Sequence, residues 1–368
     1  MKNIVLFHPF VPKDTGERVS EVLKTRWIGQ GPKVEEFENK FKKYFTEKSD
    51  CVAVGSGTDA LHLSYLCAGI GLGDEVIAPV FTCTATNIPL LYIGANIKFA
   101  DVNKKTMNID VDHVKTLVND KTKAIICVHY GGLPCDMSEL IQISNYYNIP
   151  IIQDSAHGLG AKYDNRNIAD LTAFSCFSFQ AIKSITTGDG GMLVLNDGSK
   201  TSKAKRIRWF GIDREEKQKG IWENDITEIG YKYQMTDIAA TMGICGLESF
   251  DNQLDHRRKL YMHYRDRIKN INSIDLVDND NEKFFHSAWL CTALVENRLG
   301  LEKKLKENNI ESAQVHYRND NYSIFSNYRT TSLDNMNDIE DKYIVLPLHS
   351  QVSLNDVDFI CDIIKSGW

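Results

Sequence analysis

Several things are missing from this chain, and each absence closes off a class of function. Its nine cysteines are scattered, odd in number and never spaced as C-x-x-C, so the sequence carries neither a disulfide framework nor a redox or zinc pair. The opening MKNIVLFHPF has no long apolar signal core, and the expectation is a reducing cytoplasm. No stretch approaches the roughly 18 apolar residues that a membrane helix needs, so no membrane partner is expected. With no oxidising compartment, the Asn321-Tyr322-Ser323 sequon reads as chance. There is no basic excess either: net charge is -6 and the pI is near 6.0, which offers nucleic acid no electrostatic footprint. The cluster Lys203, Lys205, Arg206 and Arg208 is expected to be a solvated helix face. Repeats and low-complexity segments are absent as well.

What remains is an enzyme-sized chain of 368 residues, long enough for a large domain plus a smaller one. From Cys51 to about Asn196, β-branched runs alternate with helix-like segments: CVAV, EVIAP, IKFADV, AIICVHY, IPIIQDSA, LTAFSCFS and GMLVLN. Such alternation predicts crossover units on a largely parallel sheet covered by helices, with ligands collecting at the carboxyl ends of the strands. Near Leu247 to His256 the pattern changes to a long charged helix and an α+β tail. The expected division is therefore residues 1 to 248 and 249 to 368. The segment Asp213 to Asp225 is rich in Glu and Lys and reads as a polar, mobile loop.

Four motifs carry chemistry. In FSFQAIKSITTGDGG, Lys183 lies between a strand and a Gly-rich turn, placed for a Schiff base if its pKa is lowered and a carbonyl is held close. VGSGTDALHL follows a strand and opens a helix, so the amides after Ser56 and Gly57 and the Thr58 hydroxyl suit a phosphate. A plain helix cap without a ligand reads equally well from that motif alone. IPIIQDSAH ends a strand on Asp154, a carboxylate able to hold a pyridinium proton, and equally able to bind metal or cap a helix. Ser178, five residues before Lys183, offers a further phosphate contact or is satisfied by backbone. The aromatic stretch IGYKYQMTDIAATMGICGLESF opens a helix, and Tyr231, Tyr233 and Met235 suit a core or an interface.

In this order and spacing the motifs resemble the DegT/DnrJ/EryC1/StrS family of sugar aminotransferases, which use pyridoxal 5'-phosphate (PLP). The resemblance runs from RWIGQGPKVEEFE through GSGTDALHL, GDEVIAPVFTCTATN, VHYGGLPCDM, QDSAHGLGA, SFQAIKSITTGDGG and GYKYQMTDIAA to VLPLH. It implies the fold-type-I α/β architecture, with a large domain of mostly parallel sheet between helices and a smaller α+β C-terminal domain. Lys183 would hold PLP and then move protons as the catalytic base. Asp154 would pair with the ring nitrogen, His157 would stand near the phenolic oxygen, and Gly57, Thr58 and Ser178 would contact the phosphate.

The departures from the family pattern are informative. Cys83 replaces the usual ring-stacking aromatic and gives up about 0.5 to 1.5 kcal/mol of stacking, with Phe81 and Tyr130 as candidate substitutes. Lys232 stands where an Asn usually reaches the phosphate of the neighbouring subunit, Gln234 where an Arg is usual, and Asp189 where a Glu is common. His316, Tyr317 and Arg318, in SAQVHYRNDNYSIF, match the substrate-side loop, which reads equally as a surface turn. Related dehydratases carry His in place of the lysine, so Lys183 favours transamination.

The implied function is transfer of an amino group from L-glutamate, leaving 2-oxoglutarate, to a keto sugar that is expected to be nucleotide-linked. The product would serve a surface polysaccharide or related glycoconjugate. The implied unit is a homodimer, and no metal is expected. Two alternatives stay open: an acceptor that is a small phosphorylated ketone, and a non-catalytic PLP-binding regulator. The absence of an appended helix-turn-helix and the negative charge weigh against the regulator.

Overall fold

The seven β-branched runs form one sheet, and most of them are apolar on both sides of the pleat. In Asp50–Val54, Val52 and Val54 enter one hydrophobic cluster while Cys51 and Ala53 enter another. In Thr122–Val128, Ala124 and Ile126 face one way and Ile125 and Cys127 the other. Successive side chains alternate across a strand, so this pattern requires a covering layer on each face. The computed structural model describes residues 3 to 221, 223, 225 to 329 and 331 to 368.

The sheet runs in the order Asp50–Val54, Gly191–Leu195, Phe174–Ser178, Ile151–Asp154, Thr122–Val128, Glu75–Pro79 and Asn96–Ala100. The last five are mutually parallel, and Gly191–Leu195 runs antiparallel to both of its neighbours. That single reversal matters for function. The strand Phe174–Ser178 turns back into its own neighbour, so the connecting loop from Phe179 to Gly190 hangs at the carboxyl edge of the parallel strands. Asp154 ends the adjacent strand, opposite Cys176.

The C-terminal region packs a three-stranded antiparallel sheet, Ile274–Leu276, Cys291–Val295 and Tyr343–Leu346, against three helices. These helices, Phe250–Ile268, Arg298–Glu307 and Leu354–Lys365, share a core of their own with Ile4. Two segments cross between the cores. Ile4 bridges to Ile310, and the backbone of Tyr317–Arg318 pairs with Phe81–Thr82. Asn319 continues the second crossing by donating to the Thr82 carbonyl at 2.8 Å and accepting from Asn87 at 2.9 Å. This crossing delivers His316 to the carboxyl edge of the large sheet.

Two expectations need correction or completion here. Arg208 is no part of a solvated face: it is 5% exposed, and its guanidinium donates to Glu38 at 2.7 Å and to the Ala53 carbonyl at 2.8 Å. The helix Thr201–Ile207 ends at Arg208, so this side chain turns back over the edge strand while its neighbours stay on the helix surface. In the segment from Asp213 to Asp225, Arg214–Gln218 form a short helix, and residues 222 and 224 lie outside the described residues. Among the described residues no helix is long and apolar enough to cross a membrane.

Candidate active site

Lys183 sits in a loop that backbone hydrogen bonds hold shut. The Phe179 amide donates to the Gly190 carbonyl, the Thr187 amide to the Phe179 carbonyl, and the Lys183 amide to the Gln180 carbonyl. Its ammonium lies 3.8 Å from the centre of the Trp289 ring. Trp289 is 2% exposed, and its indole N–H donates to the Ile182 carbonyl at 3.2 Å, which fixes the ring beside the lysine. Burial pulls the Lys183 pKa down from 10.5 to about 8, against the opposing pull of Asp154 and Cys83. At pH 7 that raises the neutral amine fraction from about 0.03% to about 10%. A neutral amine is the form that attacks a carbonyl.

Asp154 is buried at its strand end. Its Oδ2 accepts from the Thr86 hydroxyl at 2.6 Å and its Oδ1 from the Ala156 amide at 3.0 Å. The Thr86 hydroxyl also lies 2.7 Å from that of Thr82. Burial raises the carboxyl pKa, while Thr86, Ala156 and the Lys183 charge oppose the rise. A carboxylate has about four lone-pair sites, so acceptor capacity remains for an incoming N–H. Among the described residues no group of three His, Cys, Asp or Glu side chains is arranged to hold a metal.

The helix Gly57–Cys67 begins where the chain leaves strand Asp50–Val54. Ser56 caps it, its hydroxyl accepting from the Asp59 amide at 3.0 Å. The amides of Gly57 and Thr58 come ahead of the first intrahelical acceptors and carry the positive end of the helix dipole. Ser178 closes against this turn: a Cβ on Gly57 would lie 2.8 Å from the Ser178 Cβ. On the other side, a Cβ on Gly191 would overlap the Ser56 carbonyl oxygen and lie 2.8 Å from the Gly57 nitrogen. Both glycines are therefore required by close backbone approach, and together with Ser178 they form a narrow cradle at a helix N-terminus, the shape a phosphate takes. Because backbone atoms cannot swing aside, Gly191→Ala is expected to cost about 3 kcal/mol, read as a lower urea midpoint at unchanged slope. It should weaken phosphate binding at the same time.

The remaining candidates separate into those beside Lys183 and those elsewhere. His157 is 4% exposed; its ring stacks on Trp289 at 3.9 Å, and its Nε2 is 3.2 Å from Nε2 of His316. Burial and the nearby Lys183 charge push the His316 pKa to about 3 and hold His157 well below 6.5. Cys83 stands at the start of the helix Thr84–Tyr92, among the groups near Lys183. Phe81 and Tyr130 pack on each other at 5.0 Å, and Tyr130 meets His157 edge-on at 6.2 Å. Tyr317 is exposed. Arg318 is engaged within the chain: it makes two 2.8 Å bonds to Asp320, one of 2.7 Å to Glu340 and one of 2.6 Å to Asn337. Lys232 lies apart from Lys183, pairing its backbone with Trp209 and holding its ammonium 5.3 Å from that ring.

Two members of the site carry no local signal of their role in the sequence. Trp289 lies 107 residues from the carbonyl that anchors it, and Thr86 lies 68 residues from Asp154. Thr86 sits in the motif GDEVIAPVFTCTATN, where one threonine among three gives no local sign of facing a carboxylate.

Comparison with known proteins gives a consistent result. GDP-perosamine synthase of Escherichia coli is 33% identical over 370 residues, covering 99% of this chain and 98% of that protein. The UDP-4-amino-4-deoxy-L-arabinose–oxoglutarate aminotransferase of Shewanella sediminis is 31% identical, covering 96% and 95%. Among solved structures, AtS13 of Actinomadura melliaura superposes with a TM-score of 0.95 at 30% identity over 100% of both chains. The PLP-form of Spr1654 from Streptococcus pneumoniae superposes at 0.91 with 28% identity, covering 99% and 98%. The family model matches residues 11 to 365, and with the site geometry it gives the conclusion: this chain belongs to the DegT/DnrJ/EryC1/StrS aminotransferase family and is a PLP-dependent aminotransferase.

Proposed function

We propose that the protein transfers an amino group from L-glutamate to the keto carbon of a nucleotide-linked sugar, producing an amino sugar for a surface polysaccharide or glycoconjugate. The observation that carries this reading is the Lys183 amine, held against Trp289 with its pKa lowered and with the buried Asp154 carboxylate acting on it. The names of the aligned relatives, a GDP-sugar synthase and a UDP-sugar oxoglutarate aminotransferase, support the choice of substrate class and donor.

The residues present fit PLP. The cradle of Gly57, Thr58 and Ser178 suits its phosphate, Asp154 its ring nitrogen and Lys183 its aldehyde. When bound, PLP supplies a carbonyl for amines to condense with and a ring that absorbs electron density from the substrate carbon. The Asp154 carboxylate keeps a negative charge against the ring nitrogen and so holds its proton. Lys183 Nζ would accept a proton from the carbon of the amino donor and pass it to the cofactor within the same half-reaction, and in the second half-reaction it would carry a proton the other way, to the sugar carbon. Trp289 covers the amine and keeps water away, which preserves the lowered pKa. Cys83 flanks the lysine in place of a stacking ring.

On this reading residues 1 to 248 carry the cofactor and residues 249 to 368 form the smaller unit. The active species is a homodimer in which Lys232 reaches the partner's phosphate. His316 and Tyr317 meet the sugar nucleotide, and Arg318, already saturated by Asp320, Glu340 and Asn337, holds their loop in place.

The test is a substrate panel. The PLP-loaded protein, first treated with L-glutamate, is offered keto sugars linked to GDP, UDP or dTDP, and separately phosphorylated ketoses, with 2-oxoglutarate and amino product quantified. Turnover confined to nucleotide-linked sugars is the expected result. Turnover confined to ketose phosphates would replace the acceptor, and no exchange with any donor would end the enzymatic reading.

A further inference from the structure

A hydroxyl carries one proton, and the surroundings of Thr86 decide where it points. Thr86 Oγ1 lies 2.6 Å from Asp154 Oδ2 and 2.7 Å from Thr82 Oγ1. An ionised carboxylate only accepts, so the Thr86 proton is on the Asp154 side, and the Thr82 hydroxyl must then donate to Thr86. The direction runs from Thr82 through Thr86 to Asp154. A hydroxyl that itself receives a hydrogen bond is polarised and donates more strongly.

All three side chains are buried: Thr82 is 2% exposed, Thr86 0% and Asp154 4%. Bulk water is therefore not at hand to replace a lost donor. Both threonines are held by their backbones. The Thr86 carbonyl accepts from the Tyr65 hydroxyl at 2.7 Å, and beside it Asn87 donates to the Pro79 carbonyl at 3.1 Å. Thr82 is fastened from the C-terminal region, since Phe81–Thr82 pairs with Tyr317–Arg318 and the Thr82 carbonyl accepts from Asn319 at 2.8 Å. The other oxygen of Asp154 receives the Ala156 amide, from two residues along its own chain. Among the described residues Thr86 is thus the one side chain that donates to this carboxylate. The other titratable groups that act on it or feel it are Lys183, Tyr65 and Cys176. Burial pushes the carboxyl toward its neutral form, and Thr86 is the strongest of the three groups that oppose this.

We propose that Thr86, aimed by Thr82, is a positioning residue that holds Asp154 ionised and oriented, so that the proton it shares with a bound pyridine nitrogen rests on the ring. This rests on the reading of Asp154 as the partner of the ring nitrogen. The chemistry is a competition between two bases. A carboxylate deprived of its donor holds a proton more tightly and takes it from the ring, and an unprotonated ring draws less electron density from the substrate carbon.

The experiment compares Thr86→Val, which keeps the shape and removes the hydroxyl, with Thr86→Ser, which restores it. In PLP-free protein the Asp154 carboxyl carbon is titrated by carbon NMR, its signal assigned by its loss in Asp154→Asn. The midpoint should rise by about one pH unit in Thr86→Val and return in Thr86→Ser. In protein loaded with PLP isotopically labelled at its ring nitrogen, that nitrogen should show the protonated shift in wild type and move toward the unprotonated one in Thr86→Val. Turnover should follow, kcat falling about 10- to 100-fold with the KM for L-glutamate nearly unchanged. Thr82→Val should raise the Asp154 midpoint by less, and in the Thr86→Val background it should add nothing, because only Thr86 joins Thr82 to the carboxylate. If Thr86→Val fails to fold, the Thr82→Val titration carries the test. An Asp154 midpoint unmoved by loss of either hydroxyl, or effects of the two substitutions that simply add, overturns the proposal. A ring nitrogen unmoved in Asp154→Asn would instead overturn Asp154 as its partner, while the titration of PLP-free protein decides the role of Thr86 independently.

Discussion

Lys183→Ala is expected to lose the absorption band of lysine-bound PLP and to lower turnover with L-glutamate by about 10⁴-fold or more, since nucleophile and proton carrier are removed together. The fold should survive. Burial lowers the Lys183 pKa from 10.5 to about 8, so between those values the folded protein binds fewer protons than the unfolded chain. Stability from this residue accordingly rises as pH climbs from about 8 to about 10.5, and below pH 8 the full cost of the buried ammonium is present. The Ala variant lacks that cost. Compared with wild type it should be relatively more stable at pH 7 than at pH 10, which urea midpoints at the two pH values would show. Wild-type turnover in Lys183→Ala would refute the assignment of the reactive amine.

Asp154→Asn is expected to separate function from stability. Losing a preorganised charge opposite the cofactor ring should lower kcat on the order of 10³-fold, with phosphate binding largely kept. The unliganded protein should behave differently. Burial raises the Asp154 pKa above 3.8, so the folded state binds more protons than the unfolded state in the window just above that value. Stability from this carboxylate therefore falls as pH rises through the window, and at pH 7 the ionised group is a net cost. Asn keeps the shape and can still accept from Thr86, so the urea midpoint at pH 7 should stay level or rise. A second readout follows from coupling: the Asp154 charge raises the Lys183 pKa, so the Asn variant should titrate its lysine at lower pH. This can be followed by the pH dependence of lysine methylation. Retained kcat together with a large loss of stability would show Asp154 to be structural only.

Part of this architecture is legible in the sequence alone. Each of the seven apolar runs became a strand of the large sheet, because both faces of that sheet are covered and the apolar pattern is continuous. The carboxyl-edge position of Asp154 followed from where its run ended, and that of Lys183 from a strand followed by a Gly-rich turn. Other features gave no local signal. Arg208 looked like its neighbours in a basic run, and only the position of the edge strand turned it inward. Arg318 looked available to an anion, and only the fold brought Glu340 and Asn337 onto it. Lys232 is aromatic-packed in the single chain, and a role at the partner's site depends on assembly.

By itself the sequence determined the alternation of strands and helices, the helix start at Ser56, and the residue types able to carry amino transfer, because periodicity, capping and chemical identity are local properties. Tertiary structure decided the environment of the amine. It set Trp289 over Lys183, placed Thr86 on Asp154 and brought His316 beside His157. A lysine pKa near 8 depends on how much water the surroundings remove, and those surroundings come from segments far apart along the chain.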